Sequence, residues 1–374
     1  MNFELSSEQQ LLRDSVERFV DENYALETRR ELAGSDTGFS SDYWATMAEL
    51  GWLALPFAES DGGFAGTQIE TMLLMEQFGR GLVLEPYFAS IVLGGGAVRR
   101  GGSAALKAEI LPGVMDGSRQ LTLAYAEEQA RFDLDDVTTT ARAEGDELIL
   151  NGHKSMVANA ATASALVVVT RTSGGQKDQD GVTLVLVDAD ADGVKIESFP
   201  TVDGLRAAEV TLTDVRAPAA NVIGGIGDGF AILNAVANDG ILALAAEAVG
   251  AMEILYKDTV AYTQEREQFD HPLSDFQVLQ HRMVDMFVEY EQCKSLLYRA
   301  TMEVASGAES AQRTVHALKH LIGKAGIAVG ENAVQTHGGM GMTEELRVGH
   351  YFKRLLVIDA QFGNADYHLQ RFAA

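Results

Sequence analysis

The stretch Thr263-Gln-Glu-Arg-Glu-Gln-Phe-Asp-His-Pro-Leu-Ser-Asp-Phe-Gln277 separates two long runs of helical periodicity, and its reading decides the fold. Pro272 lacks an N–H and, with Asp270, is expected to end the first helix, while the Ser274 hydroxyl is expected to cap the second. An arginine then sits at the mouth of a helix–turn–helix. From there Arg266 can hold a phosphate through paired hydrogen bonds, Phe269 can cover a ring, and Gln277 can reach back from the next helix. Taken alone, the stretch reads more readily as a helical hairpin with a surface arginine. The surrounding chain decides between the two.

Beyond the turn, Phe276–Ser306 places Phe276, Leu279, Met283, Met286, Phe287 and Tyr290 at helical spacing, and helical patterns follow at Ser310–Gln335 and Val348–Ala360. With the segment Gly229–Tyr262 before the turn, they are expected to pack as an antiparallel bundle whose methionines fill the core. Upstream of Gly224-Gly225 the pattern is different: short β-rich runs at Thr138–Arg142, Glu147–Leu150, Ala165–Thr172, Val182–Val187, Val194–Phe199 and Glu209–Val215. Glu144-Gly145-Asp146 and Asn151-Gly152 are hairpin-type signals between them, and polar Ser173–Asp180 reads as an exposed hairpin loop. A small antiparallel β domain is expected. The first third is helical again, with a capping box at Ser7 and Gln10 and patterns at Asp42–Leu50, Ile69–Phe78 and Ala104–Asp116 around a Pro/Gly-marked loop at Leu53–Gly66. Gly94–Gly96 and Gly101–Gly102 read as turns between helices, because no strand precedes them to set up a phosphate loop. The fold class is mainly α with a central β domain, divided as 1–120, 121–225 and 226–374.

A chain of 374 residues, 47% hydrophobic and 22% charged, can bury a large core. Its formal charge of −25 repels nucleic acid and anionic membrane over most of the surface, so a phosphate-bearing ligand needs a local basic site. The single cysteine, Cys293, forms no intramolecular disulfide and reads as core in a reducing, cytoplasmic setting. Met1 to Val20 lacks the basic start and continuous apolar run of a secretion signal, no run of eighteen apolar residues suggests a membrane span, and no metal site is read.

On Leu148-Ile-Leu-Asn-Gly-His-Lys154, Gly204–Pro218 leading to Asp228-Gly229-Phe230, Arg266-Glu-Gln-Phe269 with Gln277, and Gln335-Thr-His-Gly-Gly-Met-Gly341, the chain resembles the acyl-CoA dehydrogenase family of flavoproteins over essentially its whole length. Gly349-His-Tyr-Phe-Lys-Arg and Phe362-Gly-Asn-Ala-Asp-Tyr-His-Leu look most like the branch called pimeloyl-CoA dehydrogenase small subunits. The resemblance implies an N-terminal helical domain, a β domain and a C-terminal four-helix bundle. It also implies FAD between the last two, with its adenosine-diphosphate pocket completed by a neighbouring subunit. Arg266, Phe269, Gln277, Gln335, Gly338 and Gly339 are then expected to reach a flavin held mainly by another chain. Physics agrees with that use, since glycines let backbone approach a pyrophosphate and an arginine neutralises it.

The family reaction removes a proton beside a CoA thioester while hydride leaves the next carbon for flavin N5, and a carboxylate serves as base. Here the chain departs from the pattern. The usual C-terminal glutamate belongs at or beside Phe362-Gly363, where no carboxylate occurs. The alternative site early in the first long C-terminal helix falls at Asp239 or Gly240, so Asp239 is the candidate base, workable if Gly240 lets the backbone approach; Asp366 is a distant second.

The flavin-facing loops depart as well. They read Tyr125-Ala126-Glu127-Glu128-Gln129-Ala130-Arg131-Phe132 and Met156-Val157-Ala158-Asn159, so Ala126, Phe132 and Ala158 replace hydroxyls that ordinarily bond the cofactor. Tyr125, Ala126, Met156 and Ala158 are the flavin-facing positions, with Met156 placed to lie against the ring edge. Arg131 is a candidate partner for a CoA phosphate or an acidic acyl tail.

The resemblance thus implies an acyl-CoA substrate, a homologous large subunit in a heterotetramer or a self-oligomer, and electron-transfer flavoprotein as acceptor. It leaves open an FAD-dependent dehydrogenase subunit using Asp239 or a non-catalytic partner giving Arg266 and Gln335 to another chain's flavin. An acyl-CoA- or protein-binding module without redox chemistry, and a same-fold monooxygenase or desulfinase, are the other readings.

Overall fold

The computed structural model describes residues 4–374; residues 1–3, where the expected N-terminal domain begins and with them the start of the stretch read for a secretion signal, lie outside the described residues. The first helix, α1 (Ser7–Asn23), starts on a capping box one residue before the expected one: Ser6 Oγ accepts from Gln9 N–H and Gln9 Oε1 accepts from Ser6 N–H. Both serines satisfy the spacing, and the choice of Ser6 frees Gln10 to bond Asp14 at 2.7 Å. Helices α2 (Leu26–Ala33), α3 (Ser41–Glu49), α4 (Gln68–Gly81), α5 (Gly96–Gly101) and α6 (Ala104–Met115) complete the N-terminal layer. Gly94–Gly96 is not a turn. It runs inside a continuous helical segment, a π-helical Phe88–Gly95 passing into α5, and a Cβ on Gly94 would stand 2.6 Å from Leu121 Cβ. Gly94 serves close packing against the β domain and Gly95 against Phe57, not chain reversal.

The sheet comprises β1 (Leu121–Ala124), β2 (Thr140–Glu144), β3 (Glu147–Ala158), β4 (Ala165–Arg171), β5 (Val182–Asp188), β6 (Val194–Pro200), β7 (Arg206–Pro218) and β8 (Val222–Ile223). Its order is β6-β7-β3-β2-β4-β5-β8, with β1 beside β4. The expectation of a purely antiparallel domain is corrected: β1 runs parallel to β4, and β2 meets β4 in parallel at Thr140 and Arg171. Strand β1 escapes periodicity because every residue in it is buried, leaving no alternation to read. Strand β4 shows why: Val167 and Val169 join the helical core while Leu166 and Val168 join the β-domain core. Glu144-Gly145-Asp146 does turn β2 into β3, whereas Asn151-Gly152 lies within β3 at a bulge opposite β7.

The C-terminal helices are α7 (Phe230–Glu265), α8 (Gln277–Ala305), α9 (Ala311–His337), α10 (Arg347–Ala360) and α11 (Ala365–Ala373), with a hairpin of β9 (Glu267–Gln268) and β10 (His271–Pro272) between α7 and α8. By length and composition α7 would suffice to cross a membrane, but 78% of its most apolar window is buried by the rest of the protein. It crosses α4 backbone to backbone: a Cβ on Gly79 would lie 1.9 Å from Glu247 O, and one on Gly250 1.9 Å from Glu76 O. Beside that crossing the buried Arg354 guanidinium binds Glu247 at 2.6 and 2.7 Å and Asp203 at 2.9 Å. Arg29 donates to Asp203 O and Leu82 O. One ionic node therefore ties α2, α7, α10 and the β6–β7 turn together.

Candidate functional site

Helix α7 stops at Glu265, before the expected Asp270 and Pro272, because the β9–β10 hairpin follows with Phe269 and Asp270 in left-handed backbone at its tip (φ 57° and 61°). Ser274 does not cap α8. It sits in a short 3-10 turn, where its carbonyl accepts from Gln280 Nε2 at 2.8 Å, so Gln280 makes the contact within the turn and Gln277 is left exposed. At the tip, Phe269 is 84% exposed and meets Phe276 edge to face. Among the described residues, no hydrogen bond or ion pair holds the exposed Arg266 guanidinium.

The glycine motif lies alongside. Tyr262, one helical turn before Arg266, stacks on His337 at 4.3 Å, and His337 leads directly into Gly338-Gly339. Gly338 has φ 63° and ψ −144°, a conformation that disfavours any side chain. Gly339 has no such constraint. A Cβ at either position meets nothing within 4 Å, so packing inside the chain does not explain the second glycine. Gln335, Gly338 and Gly339 line one open groove of about 1130 Å³ together with Arg282, Asn332 and Phe352. An unspent guanidinium, an uncovered aromatic ring and an open glycine shelf fit a dinucleotide phosphate approaching from outside the chain.

The β-domain side is built differently. The Tyr125–Phe132 loop is organised on buried Glu127, which accepts from Lys154 Nζ at 2.6 Å, from Thr138 and from Thr139 N–H. Burial alone would raise the Glu127 carboxyl; the Lys154 charge and the hydrogen bonds from Lys154, Thr138 and Gln129 outweigh it and hold it down at about 2. Of the positions expected to face flavin, only Tyr125 carries a side-chain hydroxyl. Ala126 and Ala158 offer only backbone, and both carbonyls are used, by Ser155 N–H at 2.9 Å and Thr122 Oγ1 at 2.6 Å. Met156 is 54% exposed with φ 54°, turned out of the sheet, and Tyr125 faces inward onto Phe362. Exposed Arg131 (φ 52°) stands beside Phe132, which lines a polar cleft of about 870 Å³. The residues thus fit FAD along the Arg266 edge and supply few side-chain hydrogen bonds to it from the sheet.

The centre is closed. Asp239 is buried, and its Oδ2 binds Arg99 at 3.1 Å and Arg100 at 2.5 Å while Oδ1 accepts from Gln68 at 3.2 Å. Oδ2 is taken up by the two arginines and Oδ1 by one amide, beside a cleft of about 410 Å³ that Asp239 lines, and this is the geometry of a counter-ion. Burial pulls the Arg99 guanidinium down and Asp239 opposes it, which makes the pair interdependent. Gly240 gives its space to Leu93 and Phe362, 3.0 and 3.2 Å from a built Cβ, and not to an approaching substrate. Asp366 is exposed and pairs with Lys324. In the Phe362-Gly363 segment, at or beside which the resemblance would put the family's glutamate, the Phe362 ring is stacked on Tyr125 at 4.7 Å and edge to face with Phe88 at 6.4 Å. Arg99, Arg100 and Phe88 are the residues that sequence reasoning missed. Two adjacent arginines following an apolar run were the available signal for a buried acidic partner.

Comparison with known proteins places the family. Models described as the N-terminal, middle and C-terminal domains of acyl-CoA dehydrogenase match residues 6–118, 122–215 and 227–374. The chain belongs to the acyl-CoA dehydrogenase family. It is 29% identical to the probable acyl-CoA dehydrogenase YngJ of Bacillus subtilis, over 98% of this chain and 97% of that protein. Among solved structures it resembles the ChsE4-ChsE5 complex from Mycobacterium tuberculosis at TM-score 0.90 and 26% identity, covering 100% of this chain and 98% of that one. It also resembles PigA in its FAD complex, at TM-score 0.92 and 26% identity with the same coverage.

Proposed function

We propose that this chain is a subunit of an FAD-dependent acyl-CoA dehydrogenase whose part is to complete the flavin site of a homologous companion, in a heteromer of the kind formed by pimeloyl-CoA dehydrogenase small subunits. The observation that carries the reading is the contrast between an Arg266/Gly338-Gly339 edge with nothing inside the chain to bind and a centre in which Asp239 and Phe362 are engaged by the chain itself. Two copies of this chain would pair a complete edge with a sheet poor in cofactor hydrogen bonds. A companion carrying those hydroxyls and a free carboxylate makes the whole. That ChsE4 and ChsE5 form a complex supports a heteromeric assembly. FAD, when bound, would supply the hydride acceptor; Arg266 and Gln335 would hold its phosphates, the Gly338-Gly339 shelf would admit them, and Phe269 would cover the nucleotide from water. The substrate class is a dicarboxylic, alicyclic or steroid-side-chain CoA thioester, with electron-transfer flavoprotein as acceptor.

Flavin quantification tests this. The chain expressed alone should be colourless and should form a yellow complex with its companion. Arg266→Ala in that complex should weaken flavin retention about tenfold to 150-fold, the loss of a charge-assisted contact of about 1.5–3 kcal/mol. Stoichiometric flavin in the isolated chain, or retention indifferent to Arg266, would overturn the reading.

A further inference from the structure

Two clefts of opposite character meet at one pair of aromatic rings. The first, of about 870 Å³, is polar, lined by Asn234, Asn238, Gln312, His316 and Arg371, with Phe362 at its end. The second, of about 660 Å³, is mainly apolar, lined by Met75, Phe78, Leu84 and Tyr87, with Phe88 and Gln361 at its end. Gln361 and Phe362 are consecutive, yet they face different clefts. Between the clefts the Phe362 and Phe88 rings meet at 6.4 Å and 75°, and Tyr125 backs Phe362 at 4.7 Å and 9°.

The Phe362 ring is held where its backbone would not place it by preference. Its φ is 56°, a left-handed conformation uncommon for an aromatic residue, and such residues persist only where neighbours over-determine them. Those neighbours are present. Buried Lys319 donates to the carbonyls of Ile358, Asp359 and Gly363 at 2.9, 2.8 and 2.7 Å, clamping the turn on both sides of Phe362. Buried His368 lies 2.9 Å from Phe362 O through Nε2, and that carbonyl accepts. Gly240, lacking a side chain, leaves the ring its room.

We infer that Phe362 and Phe88 form a fixed partition that stops an amphipathic thioester from lying with its polar head in the first cleft and its acyl tail in the second. Each cleft has a volume ordinary for a small ligand, but neither alone suits a molecule that is polar at one end and a long hydrocarbon at the other. Phe362 is thus a specificity determinant: it bars from this chain the class of ligand its companion processes. The inference deepens the companion reading and rests on its assignment of acyl-CoA as the substrate class, but not on Arg266 or on flavin.

Octanoyl-CoA and CoA alone are the probes, titrated calorimetrically into the full chain in the assembly in which it purifies. Phe362→Gly removes the ring and suits the positive φ; Phe88→Ala opens the other half of the wall without touching residue 362. Each variant should gain one equivalent of octanoyl-CoA per chain, bound at least tenfold more tightly than by the wild type, with CoA alone unchanged. Phe362→Tyr keeps the wall and should gain nothing. If both opening variants melt cooperatively and gain no octanoyl-CoA, or if CoA alone gains equally, or if the wild type already binds octanoyl-CoA as tightly, the partition is refuted. If one opening variant fails to fold, the other decides. Flavin retention reads Arg266 and thioester stoichiometry reads Phe362, so failure of either reading is recognised separately.

Discussion

The Arg266 edge and the Asp239–Phe362 centre are both assembled from motifs of one family, yet they have opposite electrostatic and steric states. At the edge a guanidinium with no partner among the described residues, a phenyl ring that touches only Phe276 by its edge, and two glycines face outward. At the centre the carboxylate is shared by two arginines, and the Phe362 ring is wedged between two others. A folded chain gains nothing from leaving an exposed phenylalanine and an unrequired glycine at adjacent helix ends. Their exposure is what the proposed companion surface would cover. Saturation carries the reverse message: groups whose every contact is internal stabilise the fold and leave nothing for a substrate.

The largest effect is expected in the β-domain loop that backs the centre through Tyr125. Lys154→Met strips buried Glu127 of its partner and should cost about 3–5 kcal/mol in urea denaturation, the range for uncompensating a buried charge. The same pair sets an acid limb. The folded Glu127 carboxyl protonates at about 2 and the unfolded one near 4.5, so its contribution is present above pH 4.5 and is lost as pH falls towards 2. The mutant's stability should fall less steeply across that window. Asp239→Asn comes next, with a loss of about 1–3 kcal/mol, because Arg99 and Arg100 lose their common counter-charge while keeping partial access to water. A catalytic Asp239 would behave otherwise: the variant would lose turnover in the complex and keep its melting midpoint.

Much of the fold was legible because long helices advertise their burial every three or four residues, and the strands that face water on one side alternate. What escaped was buried on every side. Strand β1 shows no alternation because none of its residues sees solvent, and Gly94–Gly96 looks like a turn although it lies within a helix where Gly94 and Gly95 serve close packing. The edge was legible for a related reason: phosphate recognition uses arginine and glycine at spacings that the sequence displays directly. The centre was not. The partners of Asp239 lie 139 and 140 positions away, in a helix whose approach to α7 depends on tertiary packing, and no local pattern around Asp239 records them. Phe362 was visible only as a missing carboxylate, and that it fills the space with a stacked ring required Tyr125 and Phe88 to be in place.

Gly339→Ala sharpens the contrast at its finest. A methyl added there meets nothing within 4 Å, and the backbone at that position is not left-handed, so the isolated chain should change stability by no more than about 0.5 kcal/mol. In the complex the same methyl stands on the shelf where a pyrophosphate oxygen would approach, and flavin retention should fall measurably while the chain's own melting curve does not move. Gly338→Ala supplies the control from the adjacent position: its φ of 63° charges a backbone cost of about 1 kcal/mol to the isolated chain before any ligand is considered. Two neighbouring glycines would then respond to the same substitution in different assays, one through the fold and one through what the fold presents. If Gly339→Ala left flavin retention unchanged in a complex that Arg266→Ala weakens, the arginine would be acting without the glycine shelf, and the edge would be a point charge and not a cradle.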